Sequence, residues 1–181
     1  KYNFKDIPGI FDLIDKEGIP RACFYHLVYS GRASSMLEDD LTPQEARDTL
    51  DLIFDRSKKL TSAEILTVDN HADGVYLYLQ SKKTCPQKSQ EVLSLLRQNG
   101  GNKSGIGIAN IDNLGFVHPD QFWRHYSFGN IRERKFSEIW LDESDELLKG
   151  LRNRIPLLKG KCSRCNFKDC CAGNFRVRAE A

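Results

Sequence analysis

Residues 162–171 read Cys-Ser-Arg-Cys-Asn-Phe-Lys-Asp-Cys-Cys, so four of the chain's six cysteines fall within ten positions. The two-residue spacer between Cys162 and Cys165 lets one turn aim both sulfurs at a single centre. Thiolates so arranged select zinc or an iron–sulfur cluster. Five residues separate Cys165 from Cys171, which adds a third ligand, whereas a tetrahedral site takes four. Cys170 adjoins Cys171, and sequence neighbours rarely ligate one ion together, so Cys170 stands only as a spare or substitute ligand. A disulfide scaffold needs a secreted context and spread cysteines. The clustering favours reduced thiols and a metal loop, which makes the end of the chain a small metal-binding unit.

Outward from this loop, composition sets the frame. A length of 181 residues, with 40% apolar and 29% charged residues, fits one or two domains with a real core. The sequence shows no signal peptide and no apolar run able to span a membrane, so a cytoplasmic protein with no membrane partner is expected. The net charge of +2 hides an asymmetry. From Lys149 to Arg178 there are nine Lys/Arg against one acid, Asp169. Such a run is either a solvated face or a surface for an anionic partner.

Further upstream the pattern becomes α/β. Phe11 to Glu17 reads as a helix stopped by Gly18. Arg21 to Tyr29 is rich in aromatic and β-branched residues and reads as a buried strand. Thr42-Pro43-Gln44-Glu45 is a capping box with Pro at the first helical position, opening a helix to about Leu60. Glu64 to Asp69 reads as a second buried strand. Thr84 to Gln87 offers another capping box, before a helix that Asn99-Gly100-Gly101 ends. This order is that of parallel α/β units. Two strands make no independent parallel sheet, so residues 1–102 read as a piece of a larger barrel or open sheet. From Gly105 the character changes to a hairpin running to Pro119, followed by short helices at 136–140 and 144–154. A boundary near 102 separates the α/β part from a metal-binding part at 103–181.

Two segments then join the cysteines. Gly115 to Trp140 (GFVHPDQFWRHYSFGNIRERKFSEIW) and the loop at 162–171 resemble the SPASM and twitch domains. These are C-terminal extensions of radical S-adenosylmethionine (radical SAM) enzymes that hold auxiliary [4Fe-4S] clusters. Cys23 to Arg32 (CFYHLVYSGR) and Leu66 to Gly74 (LTVDNHADG) resemble the subfamily that trims tetrapyrrole side chains in heme d1 synthesis and in the siroheme-to-heme route. The resemblance implies a partial radical SAM (β/α) barrel at 1–102 and a small α+β SPASM/twitch-like domain at 103–181. It implies a siroheme-derived tetrapyrrole as substrate, altered at acetate or propionate arms, and a reductant such as a ferredoxin or flavodoxin. It also implies an auxiliary [4Fe-4S] cluster on Cys162, Cys165 and Cys171, with S-adenosylmethionine and a second [4Fe-4S] cluster elsewhere in the full-length protein.

The chain departs from the family pattern in three places. It has no CxxxCxxC, since Cys23 and Cys85 stand alone, so the chain by itself is expected to be inactive. Asp120 and Phe175 occupy positions where a full SPASM domain has cysteines, so one of two auxiliary clusters is expected to be missing. The family's fourth ligand falls beyond the run Phe175 to Ala181. In air, the loop is then expected to be empty, disulfide-linked or filled with zinc.

The histidines and arginines supply the remaining candidates. Asn70 and His71 follow a strand at its carboxyl end, where α/β folds bind ligands, and are expected to contact the cofactor. Arg32 is a carboxylate clamp at the end of the other strand. His118, Arg124 and His125 bracket an aromatic run able to lie against a macrocycle and are expected to contact substrate. His26, on a strand of aromatic neighbours, reads as a hydrogen-bonded core residue. The competing reading is a zinc-binding nucleic-acid module or a scaffold. No basic patch interleaved with stacking aromatics supports nucleic acid as a partner.

Overall fold

The structure is a computed structural model that describes residues 1–180. Ala181, the last residue of the expected cluster domain, lies outside them. The N-terminal part is a two-stranded parallel sheet under helices. Strand β1 (Arg21–Tyr25) pairs with β2 (Glu64–Val68) in the register Arg21 to Glu64 and Tyr25 to Val68. Helix α1 (Ile7–Lys16) precedes β1, and α2 (Pro43–Lys59) makes the crossover between the strands. The expected capping box forms. Thr42 Oγ1 accepts from the Glu45 N–H at 3.2 Å, and Glu45 accepts from the Thr42 N–H at 2.8 Å. Ile7, Phe11 and Ile53 from these helices form a core on one face of the sheet, with Phe24 stacked on Phe11 at 5.3 Å.

Three expectations need correction. The first strand ends at Tyr25 rather than Tyr29, and neither strand is buried on both faces. Helices cover one face, so side chains alternate with the strand period. Phe24 is packed, while Cys23 and Tyr25 are exposed. The second correction is a helix, α3 (Ala72–Thr84), where none was expected. The third is the start of α4 (Pro86–Asn99), which has no capping box. Cys85 precedes it without a side-chain bond, and Thr84 Oγ1 turns back to the Gln80 carbonyl. The end of α4 is as expected, with Gly100 in the left-handed region at φ 70°.

The C-terminal part holds a three-stranded antiparallel sheet of β3 (Asn110–Ile111), β4 (Phe116–His118) and β5 (Gly129–Asn130). The hairpin of β3 and β4 matches the expectation, and β5 adds an edge to it. Helices α5 (Phe136–Trp140) and α6 (Glu146–Arg152) pack on this sheet through Val117, Phe128, Ile139 and Leu148. Three short helices finish the chain: α7 (Gly160–Ser163), α8 (Lys168–Cys171) and α9 (Arg176–Glu180). A third core joins the two parts. Val28, just past β1, packs with Trp123, Phe175 and Val177. Among the described residues, no helix is long and apolar enough to cross a membrane.

Candidate metal centre

The cysteine loop is built onto α3 and α4. Phe167 meets Tyr78 of α3 edge-on at 5.7 Å, and Asp169 pairs with Arg97 of α4 at 3.1 Å. Gly101, in the left-handed region at φ 67°, lies so close to the loop that a Cβ there would fall onto the Cys170 and Cys171 carbonyls. The next residue, Asn102, donates its N–H to the Cys171 carbonyl at 3.0 Å. Cys171 is therefore held by the scaffold and half-buried, whereas Cys162 and Cys165 are exposed.

Two of the thiols bear on the third. The Cys171 thiol is pushed up to about 11 by burial first, then by the charges of Cys162 and Cys165 beside it. The Gly173 N–H acts in the opposite direction, and the Phe167 N–H donates to Cys165 Sγ at 3.4 Å. Hydrogen bonds of this kind to sulfur tune iron–sulfur sites. Among the described residues, no three His, Cys, Asp or Glu side chains stand in finished metal-holding geometry. The donor set nonetheless suits a soft centre. Three thiols share one loop, the Phe167 N–H points at Cys165 Sγ, and the nearby carboxylate of Asp169 is taken by Arg97. Cys170 faces elsewhere. It is buried with its sulfur toward Asp169, and burial and that carboxylate raise its thiol.

A second polar cluster stands at the carboxyl ends of the two strands. His26 follows β1 and donates from Nε2 to Asp73 at 2.7 Å. Asp73 is 2% exposed, and its other oxygen has no partner. Asp69 follows β2 with φ 69°, a conformation that costs a non-glycine residue energy and often marks function. Burial raises its carboxyl above the usual range, against the pull of His71, His26 and Arg178. Burial also lowers His71 below its ordinary value. Asn174, three residues past Cys171, ties this edge to the loop. Its amide donates to Asn70 Oδ1 at 2.7 Å, its Oδ1 faces His71 Nδ1 at 3.4 Å, and its carbonyl accepts from Asn102 at 2.8 Å. The structure thus brings Asn70 and His71 to the cysteine loop. It also adds His26, Asp69, Asp73 and Asn174, none of them a site candidate on sequence.

The remaining candidates separate. His118 is buried at 3% exposure, with Nδ1 donating to the Tyr126 carbonyl at 2.6 Å and Nε2 facing Asp112 at 3.3 Å. In this arrangement both ring nitrogens are engaged within the chain, and the side chain fastens the hairpin. Arg124 and His125 line an open cavity of about 460 Å³ together with Ser30, Gly31, Ser34 and Phe122. His125 Nε2 accepts from Trp123 Nε1 at 2.7 Å, while the Arg124 guanidinium pairs with no acid among the described residues. Arg32 sits on the 3₁₀ turn Gly31–Ser35 that borders this cavity, exposed to solvent.

The positions that depart from the family pattern, Asp120 and Phe175, are linked through Phe122. Asp120 is fully buried, and its Oδ1 accepts from the Phe122 and Trp123 N–H groups at 2.8 and 2.9 Å. The Phe122 ring stands edge-on to Phe175 at 5.0 Å. An aromatic core fills this region.

The SPASM family, an iron–sulfur cluster-binding domain, matches residues 105–166, which include Cys162 and Cys165. Relatives extend the likeness to the full length of the chain. The Fe-coproporphyrin III synthase of Methanosarcina barkeri is 58% identical across all of the chain and 47% of that protein. The pre-heme d1 synthase of Dinoroseobacter shibae is 37% identical over 98% of the chain and 45% of that protein. An AdoMet-dependent heme synthase of Methanosarcina barkeri is 29% identical over 100% of the chain and 50% of that protein. The chain spans about half the length of the curated relatives it matches, corresponding to their C-terminal part.

Proposed function

We propose that the chain is part of a radical SAM enzyme that alters acetate or propionate arms of a siroheme-derived tetrapyrrole. In this reading residues 1–102 contribute strands and helices of the radical SAM barrel, and 103–181 form the cluster domain. Cys162, Cys165 and Cys171 hold one auxiliary [4Fe-4S] cluster, with the fourth position filled from outside this loop. The observation that carries the reading is the match of residues 105–166, Cys162 and Cys165 among them, to the SPASM family, with Cys171 held on the same loop by the Asn102 N–H on its carbonyl. The aromatic packing of Phe122 and Phe175 over buried Asp120 supports a single auxiliary cluster rather than two.

When bound, the cluster supplies one-electron transfer close to the substrate. The protein's own groups do the rest. Arg124 and Arg32 offer guanidinium forks to carboxylate arms at the mouth of the 460 Å³ cavity. Phe122 in its wall gives flat apolar surface. Asn70 and His71, at the strand ends, are the residues assigned to the cofactor in this reading, and Asn174 ties them to the residues just past the cysteine loop.

Iron and sulfide analysis of the full-length protein, prepared anaerobically, tests the ligand set. Cys162→Ser, Cys165→Ser and Cys171→Ser should each remove about four iron per chain, the content of one [4Fe-4S] cluster, whereas Cys170→Ser should leave it. Variants that keep their full iron, or a wild type that binds only zinc, would overturn the assignment. Arg124→Ala should weaken tetrapyrrole binding by about tenfold or more, the scale of a lost charge-assisted contact, without lowering the melting temperature.

A further inference from the structure

Trp123 is buried at 4% exposure among Val28, Phe175 and Val177 and stacks on Tyr126 at 5.7 Å. Its indole N–H reaches His125 Nε2 at 2.7 Å. An indole nitrogen donates and never accepts. The imidazole nitrogen that it meets therefore carries no hydrogen, and the neutral ring holds its one hydrogen on Nδ1. An unconstrained histidine favours the other form, with hydrogen on Nε2, so the fold selects the rarer tautomer here. Glu180 competes for the same nitrogen, with Oε2 at 3.6 Å. That distance is beyond a hydrogen bond, and Glu180 Oε1 is engaged by Arg176 at 3.1 Å. A hydrogen on Nε2 would instead set two donors face to face and strand the buried indole N–H.

The consequence falls on the cavity of about 460 Å³ that His125 lines. The hydroxyl groups of its lining are already engaged. Tyr29 donates to Asp40, Ser30 to the Phe122 carbonyl and Ser34 to the Gly31 carbonyl. Among the described residues, Arg124 has no acid partner within 4.0 Å, and His125 Nδ1 has no hydrogen-bond partner. The side-chain donors left in the lining are thus the Arg124 guanidinium and the Nδ1–H of His125, whose side chain is 65% exposed. One cation beside one neutral donor matches a singly charged carboxylate. It leaves a doubly charged group such as a phosphate monoester half neutralised, and Glu180 in the same lining opposes the second charge. We propose that Arg124 and His125 together grip one carboxylate arm of the substrate, with Trp123 as the positioning residue that makes His125 a neutral Nδ1–H donor. The proposal rests on the reading of this cavity as the substrate site. No covalent bond changes and no proton is transferred in this grip.

The test uses the full-length protein with nitrogen-15 in its histidine rings, and siroheme, a tetrapyrrole with acetate and propionate arms, as the probe. At about pH 8, where an ordinary histidine is neutral, NMR of the ring nitrogens should place the His125 hydrogen on Nδ1, the signal being assigned by its loss in His125→Asn. Siroheme should shift that Nδ1–H signal. Trp123→Phe keeps an aromatic ring in the core and removes the N–H. The hydrogen should then move to Nε2, and siroheme affinity, followed by absorbance, should fall about tenfold, the scale of one lost hydrogen bond to a charged group. His125→Ala should lose about as much, and adding Trp123→Phe to it should cost nothing further. His125→Asn, whose amide nitrogen stands where Nδ1 stood, should bind siroheme much as wild type with either residue at 123. A wild-type ring with its hydrogen on Nε2 overturns the proposal. So does a Trp123→Phe loss that persists in the His125→Ala background, since Trp123 then acts through packing alone. Should Trp123→Phe fail to fold, the wild-type tautomer and the two His125 variants decide. If Arg124→Ala weakens siroheme binding and His125→Ala does not, the proposal falls and the substrate reading of the cavity stands. If neither weakens it, both fall.

Discussion

Asp73 concentrates several functions in one side chain. It sits in the first turn of α3, where a carboxylate complements the helix dipole, and accepts from His26 while its second oxygen lies buried without a partner. Removing it strands the imidazole N–H of half-buried His26. Asp73→Ala is expected to cost about 2–4 kcal/mol in urea unfolding, the range for breaking a buried polar pair. Asp73→Asn keeps an acceptor and should cost less than half of that. An Asp73→Ala protein with the wild-type midpoint would mean that the pair holds nothing together. Gly101 makes a second case. Gly101→Ala adds a strained φ, worth about 1–2 kcal/mol, and a collision with the cysteine loop. Gly160, also left-handed at φ 59°, faces open space. Gly101→Ala should therefore lower both stability and iron content, and Gly160→Ala only stability. Equal iron loss in the two would remove the claim that Gly101 seats the loop. These contrasts also mark what the sequence could disclose about the site. The cysteines were readable because ligand spacing is local. The His26–Asp73 pair spans 47 positions and the Asn70–Asn174 bond spans 104, so no window of sequence contains either.

At the scale of elements, local chemistry was legible where it agreed with the fold and misleading where it did not. The capping box at Thr42 formed as read, and Thr42→Ala should cost about 1 kcal/mol. The apparent box at Thr84 did not form, so Thr84→Ala should shift the denaturation midpoint little, within about 0.5 kcal/mol. A large loss at Thr84 would mean that its bond to the Gln80 carbonyl matters more than a cap. Helix α3 was hidden because Val75-Tyr-Leu-Tyr-Leu79 carries strand-favouring residues without helical periodicity. The helix forms there because it packs on two sides, against α4 and the cysteine loop. The strand at Arg21 was overextended for a related reason. Leu27 and Val28 are apolar because Val28 enters the core with Trp123 and Phe175, not because they continue the ladder. Apolar sequence reports burial, and it does not say against what.

At the scale of the whole molecule, the strand-end cluster and the cysteine loop are fastened through Asn174, and the fastening predicts how the protein meets acid. Asn174→Ala removes the side-chain bonds to Asn70 and His71 but keeps the carbonyl that serves Asn102. It should cost about 1–3 kcal/mol. His71, beside it, is held below its ordinary value of 6.5 by burial. The unfolded chain then takes up the proton first, so the His71 contribution is full above pH 6.5 and is lost as pH falls below it. Asp112 and Asp142 act lower. Both carboxyls are depressed: Asp112 by the Phe116 N–H and its neighbours against its own burial, and Asp142 to about 2 by Ser144 and Arg134. Their contribution is present above 3.8 and fades as pH falls toward those folded values. Asp69 runs the other way. Its raised carboxyl favours the folded state when protonated, an effect lost as pH rises through its folded value, so it partly offsets the second loss. The melting temperature of the reduced protein should therefore fall in two stages, one beginning near pH 6.5 and one below pH 4. His71→Gln should flatten the first stage and leave the second. A wild-type curve flat from pH 7 to 5, or a His71→Gln curve that keeps the first step, would show that His71 is not the desolvated group whose protonation opposes folding at the strand ends.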